Sequence, residues 1–113
     1  MAKESDMYPN TYKALRKRYP ATEGWEIVPQ DHNGTYKPDF VVYKSGKKYT
    51  YKIPVEVKLE YVATAEHISQ LNGYSSKLAG PNVKIENKIL VYPVGTNISL
   101  VPADIEVIFL RSF

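Results

Sequence analysis

The chain has 113 residues, 43% of them hydrophobic and 24% charged, the size and balance of one small globular domain with a single core. It has no cysteine, which excludes disulfides, thiolate metal sites, thiol nucleophiles and cysteine-held iron–sulfur clusters. A net charge of +3 permits nucleic-acid binding without requiring it. No apolar run reaches membrane-spanning length and the N-terminus lacks a signal-peptide core, so a cytoplasmic protein without a membrane partner is expected.

In chain order, Thr11 to Tyr19 reads as a helix, with Asn10 as N-cap, Pro9 ahead of it and Pro20 ending it; a start as early as Ser5 is also compatible. Tyr12, Leu15 and Tyr19 recur at helical spacing and leave Lys13, Arg16 and Lys17 outward, where they can meet phosphate or simply be solvated. Gly24 to Pro29 reads as a short strand with Trp25 and Ile27 on one face. Gln30 to Tyr36 is polar and reads as a loop containing His32, a candidate for contact with a nucleic acid.

The loop leads into Lys37-Pro38-Asp39-Phe40-Val41-Val42, a strand-like run, and Lys44-Ser45-Gly46-Lys47 is the turn of a hairpin. Its return run ends in Val55-Glu56-Val57-Lys58-Leu59. Pro54 lacks the N–H of a ladder bond, so a bulge or break is expected there. Lys44, Lys47, Lys48 and Lys52 crowd this hairpin, and Lys47 and Lys48 are further phosphate-contact candidates. Thr64 can cap a second helix from Ala65 to Leu78, stopped by Gly80-Pro81. Ala65, Ile68, Leu71 and Leu78 form its expected core stripe, with His67, Gln70 and Tyr74 on an adjacent one. Lys88 to Val94 reads as a buried strand and Asp104 to Phe109 as a final one. The order αβββαββ implies an α/β fold, a mixed central sheet flanked by helices.

Two carboxylates inside apolar strands call for a reason, because an ionised group near a core is costly unless paired or bound to metal. Alternation puts Glu56 and Lys58 on one face of their strand and Asp39, Val41 and Tyr43 on one face of theirs. If the strands are neighbours, Asp39 and Glu56 converge on a site suited to a hard divalent cation, with Lys58 beside it to meet an anion.

These residues resemble the PD-(D/E)xK nuclease superfamily. Pro38-Asp39 stands for its PD, Glu56-Val57-Lys58 for its ExK, and Gln70-Leu71-Asn72-Gly73-Tyr74 fits the QxxxY motif of its RecB-like and lambda-exonuclease-like branches. The resemblance implies a restriction-endonuclease-like core. It also implies Mg²⁺, replaceable by Mn²⁺, on Asp39, Glu56 and the Val57 carbonyl, with Lys58 orienting or helping to deprotonate a water and Gln70 and Tyr74 completing the catalytic set. Many members add a glutamate from the first helix; Thr11 to Tyr19 contains no acid, and Glu4 is the candidate left. The resemblance points to hydrolysis of DNA, either by a homodimeric Holliday junction resolvase-like endonuclease or by a RecB- or lambda-type exonuclease. A non-catalytic nucleic-acid-binding module on the same fold, and a structural α/β protein with a Glu56–Lys58 surface pair, are the alternatives.

Overall fold

The structure is a computed structural model that describes residues 2–30 and 37–112. Helix α1 (Tyr8–Arg18) follows a 3-10 turn over Glu4–Met7, and β1 (Glu26–Pro29), β2 (Phe40–Ser45) and β3 (Thr50–Val57) come next. Helix α2 (Ala65–Leu78) precedes β4 (Val83–Ile85), β5 (Ile89–Pro93) and β6 (Glu106–Leu110). The strands make one mixed sheet in the order β1-β2-β3-β5-β6. β1, β2 and β3 pair antiparallel, whereas β3, β5 and β6 pair parallel; short β4 joins the first half of β3. Among the described residues no helix is long and apolar enough to cross a membrane.

Each face of the sheet carries one helix. On one face Phe40, Val42, Ile53, Val55, Val57, Ile89, Val91 and Ile108 pack with Met7 and Leu15 of the α1 region. On the other, Leu71 of α2 packs with Leu90, Tyr92 and Ile105. This is period-two alternation at work: neighbours along a strand serve opposite cores.

Several expectations need correction. The 3-10 turn runs straight into α1, with Met7 already in the right-handed helical region and no side-chain cap. Asn10 therefore lies inside the first turn, its amide donating to the Ser112 carbonyl at 2.9 Å, while Pro9 takes a position where a missing N–H costs nothing. β3 passes through Pro54 unbroken, paired with Val41. The reason is directional. Val57 N–H points to the β2 side, to Asp39, and Lys58 N–H to the β5 side, to Val91, so the Pro54 nitrogen faces the β5 side. There the β4 pairing has ended at Lys52 and the β5 pairing begins only at Val55. Proline falls in the gap, and no ladder bond is lost. The order also gains a strand, β4, whose three residues give too short a pattern to read.

Helix α2 spans the expected residues, with Thr64 Oγ1 accepting from His67 N–H at 3.2 Å. Its inward stripe differs from the expected one: His67, Leu71 and Tyr74 are buried, Ile68 and Leu78 are half-buried, and Ala65 is exposed. The helix lies over the end of the sheet where Glu56 and Tyr92 stand. There the polar atoms of His67 and Tyr74 find partners that aliphatic side chains would leave bare.

Candidate active site

The β2–β3 register pairs Phe40 with Val55; carried one residue further, it sets Asp39 opposite Glu56, both on the α2 face. Asp39 is 6% exposed and Glu56 4%. Two ionised carboxylates cannot share so dry a place, and they are hydrogen-bonded to one another. Burial first, then the bond to Asp39 and its charge, push the Glu56 carboxyl up to about 9, against the opposing pull of Lys58 and a hydrogen bond from Tyr74. The pair therefore holds one proton at neutral pH.

The surroundings orient the pair. Tyr8, at the start of α1, donates its hydroxyl to Asp39 Oδ1 at 2.5 Å, and Val57 N–H donates to Oδ2 at 2.7 Å. Tyr8 stacks edge-on against Phe40, ring centroids 5.3 Å apart, so the residue next to Asp39 also holds its partner. Burial and these carboxylates raise the Tyr8 phenol well above its usual range, so it stays a donor. Lys58 Nζ lies 3.7 Å from Glu56 Oε2 in a largely covered position. Glu4 sits close by: its Oε2 accepts from Leu59 N–H at 3.4 Å, and its charge acts on the Tyr8 phenol.

Asp39, Glu56, Lys58 and Tyr74 thus come together as expected, and Val57 joins them through its backbone. Gln70 lies half-buried one turn before Tyr74, in a surface recess with Glu66, Ser69 and Lys77. The basic candidates are dispersed. Lys47 and Lys48 are exposed in the hairpin turn, whereas Asp39 and Glu56 are at its open end; β2 alone separates the two by roughly 17 Å. Closeness in sequence misled here, because a hairpin sends its turn and its ends apart. Lys13 and Lys17 are exposed on α1, against the opposite sheet face from α2. The Arg16 guanidinium donates to the carbonyls of Trp25 at 2.8 Å and Tyr19 at 3.3 Å, which ties α1 to the start of β1. His32 lies outside the described residues. On the same sheet face, running from Val41 toward the hairpin turn at Ser45 and Thr50, an open groove of about 480 Å³ is lined by Gln30, Tyr43, Lys52 and Leu78 among others.

Sequence reasoning missed Tyr8 and the Glu60–His67–Tyr92 chain. His67 is buried, with Nε2 2.6 Å from Glu60 Oε2 and Nδ1 2.7 Å from the Tyr92 hydroxyl. Neither feature has a local signature, since both depend on how the helices meet the sheet.

The donor set suits a small hard cation. Among the described residues no group of three or more His, Cys, Asp and Glu side chains is gathered for a metal. Mg²⁺ asks for less: one or two carboxylates, with water and substrate phosphate filling its remaining positions. A carboxylate pair that must otherwise keep a proton meets that description, and the Val57 carbonyl leaves the strand on the same edge as the N–H that binds Asp39.

The chain matches no protein-family model, no curated protein and no solved structure.

Proposed function

We propose that the protein is a divalent-metal-dependent DNA nuclease of the PD-(D/E)xK type, on a restriction-endonuclease-like core, working in the cytoplasm as a homodimer on branched DNA in the manner of a Holliday junction resolvase. The observation that carries this reading is the buried Asp39–Glu56 pair with Lys58 Nζ 3.7 Å from Glu56. An α/β fold with a mixed six-stranded sheet, antiparallel on one side and parallel on the other, is compatible with that core.

Asp39, Glu56 and the Val57 carbonyl would hold Mg²⁺ or Mn²⁺. When bound, the cation supplies positive charge to the phosphoryl group and acidifies an attacking water. The residues of the chain set the geometry. Tyr8 and Val57 N–H fix the Asp39 carboxylate, and Tyr74 fixes Glu56. Lys58 orients the attacking water and offsets charge gathering on the phosphate. The groove lined by Lys52, Tyr43 and Gln30 accepts the strand next to the scissile bond, with Lys52 facing its phosphates.

One observation favours a second reading. Tyr74, the tyrosine of the QxxxY resemblance, hydrogen-bonds Glu56, which supports the RecB- or lambda-type exonuclease to which that motif points. Cleavage of a labelled four-way junction beside linear duplex DNA tests both. Paired symmetric nicks in the junction support the resolvase reading, and progressive loss of ends supports the exonuclease.

A further inference from the structure

The two edges of the sheet are unlike. β1 is four residues long, carries an exposed Glu26 and ends in Pro29, which has no N–H to offer another strand. β6 has none of these guards. Its run Val107-Ile108-Phe109-Leu110 is apolar throughout, and among the described residues nothing pairs with its outer side. Val107 packs with the α2-face cluster and Ile108 and Leu110 with the α1-face one, so Phe109 stands on the α2 face, where it is 40% exposed. Leu100, 62% exposed, belongs to the turn that packs Ile98 and Val101 against the same cluster as Val107. A bare apolar edge of this kind is a template for a further strand.

Hydrogen-bond direction sets the register such a strand would take. Glu106 N–H donates to Lys88 O and Leu110 O accepts from Val94 N–H, both at 2.9 Å, so Glu106, Ile108 and Leu110 spend their backbone groups on β5. Val107 and Phe109 turn theirs outward. A second β6 laid antiparallel against the first, with Ile108 opposite Ile108, makes Val107 and Phe109 hydrogen-bonded partners on either side of that centre. Each Phe109 is then covered by the second copy's Val107 on the α2 face, and the two Ile108 side chains meet on the other. Charge agrees with this direction. Asp104 and Glu106 lie at the start of the strand and Arg111 just past its end, so antiparallel pairing lays acidic start against basic end twice, whereas parallel pairing sets like against like. Asp104 and Glu106 already pair with Lys88 and Arg18, so these rim charges steer orientation more than they add affinity.

We propose that the β6 edge is the seam of a two-fold homodimer, in which the sheet continues into a second copy of this chain through antiparallel β6–β6 pairing centred on Ile108. A two-fold axis normal to the sheet keeps both α2 faces on one side. Glu56 is level with Leu90, and Leu90 with Val107, one residue from the axis; the two carboxylate sites therefore open on that same side, five strand spacings or roughly 24 Å apart. The use of two such sites rests on the nuclease reading, whereas the pairing depends on β6 alone.

Sedimentation equilibrium across the micromolar range and disulfide trapping test the seam. The wild type should show twice the 12.9 kDa mass of the chain. Phe109→Lys, which sets a charge in the seam, and Phe109→Pro, which removes an outward N–H and no bond to β5, should each weaken association by roughly a hundredfold or more while the circular dichroism stays that of the wild type. The chain has no cysteine, so an introduced one is the only thiol. Opposed Cα atoms of a non-hydrogen-bonded pair lie about 4.5 Å apart, within disulfide reach, so Ile108→Cys should oxidise to a covalent dimer. In this register the two Phe109 Cα atoms are roughly 8 to 9 Å apart, so Phe109→Cys should stay reduced. If a Phe109 variant fails to fold, the trapping result decides. A wild type that is monomeric throughout, a dimer that Phe109→Lys and Phe109→Pro leave intact, or faster cross-linking of Phe109→Cys than of Ile108→Cys overturns the seam. A dimer with the expected cross-link that cuts no DNA refutes the nuclease and leaves the seam standing; Asp39-dependent cutting by a monomeric wild type does the reverse.

Discussion

Replacing Glu56 with glutamine tests the physical state of the carboxylate pair without reference to catalysis. In the folded protein Glu56 keeps its proton up to about 9, whereas its unperturbed value is 4.5. Between these limits the native state binds one proton more than the unfolded chain, so stability falls as pH rises, by about 1.4 kcal/mol per pH unit at most. The contribution is fully present below pH 4.5 and is lost through pH 9. From pH 6 to 8 the loss is about 2 to 3 kcal/mol, the lower figure allowing for partial screening. For a chain of this size that is roughly 10 °C in Tm. Glu56→Gln mimics the protonated acid: it can donate to Asp39 and accept from Tyr74, yet has nothing to ionise. Without divalent cations it should match the wild type near pH 5 and, three pH units on, melt about 15 °C higher at pH 8. Thermal melts of both proteins across that range measure it. Parallel curves would mean that the pair holds no shared proton, and the electrostatic account of the site would be wrong.

The same linkage governs metal binding. Because the cation must displace the shared proton, Mg²⁺ affinity should rise about tenfold per pH unit up to pH 9, with one proton released per ion; calorimetry in buffers of different ionisation enthalpy reads this, and a pH-independent affinity would contradict it. Tyr8→Phe removes the 2.5 Å bond to Asp39 Oδ1, which should cost about 1.5 to 3 kcal/mol of stability in urea denaturation and slow cleavage at least tenfold. A neutral outcome would show that Val57 N–H alone orients Asp39. Lys52 lines the groove on the carboxylate face while Lys47 and Lys48 lie at the far end of the hairpin. Lys52→Ala should therefore weaken DNA binding and lower the salt slope by about one, and the Lys47→Ala, Lys48→Ala double variant should leave both near wild type. The reverse ranking would move the DNA path to the other end of the hairpin.

The parts of the fold that were legible are those with local causes. Helix α2 has a capping threonine at one end and Gly80-Pro81 past the other, and its bounds follow from those residues alone. Asp39 and Glu56 could be brought together because alternation fixes their face and a hairpin fixes their register. Pro54 was misread because its tolerance depends on which side its nitrogen faces and where β4 gives way to β5. Apolarity alone is a poor guide to the α2 stripe. The helix turned His67 and Tyr74 inward instead, toward Tyr92 and Glu56, which are distant in sequence. Tyr8 left no trace for the same reason: the first residue of a helix became a ligand of Asp39 only through the packing of α1 against the end of the sheet.

The most direct test of the central claim is cleavage of labelled four-way junction, linear duplex and single-stranded DNA with Mg²⁺ or Mn²⁺ by the wild type, Asp39→Ala and Glu56→Ala. The account predicts metal-dependent cutting by the wild type, with paired nicks in the junction, and a loss of a thousandfold or more in each variant. Equal activity in all three, or none in the wild type with any substrate, would contradict it.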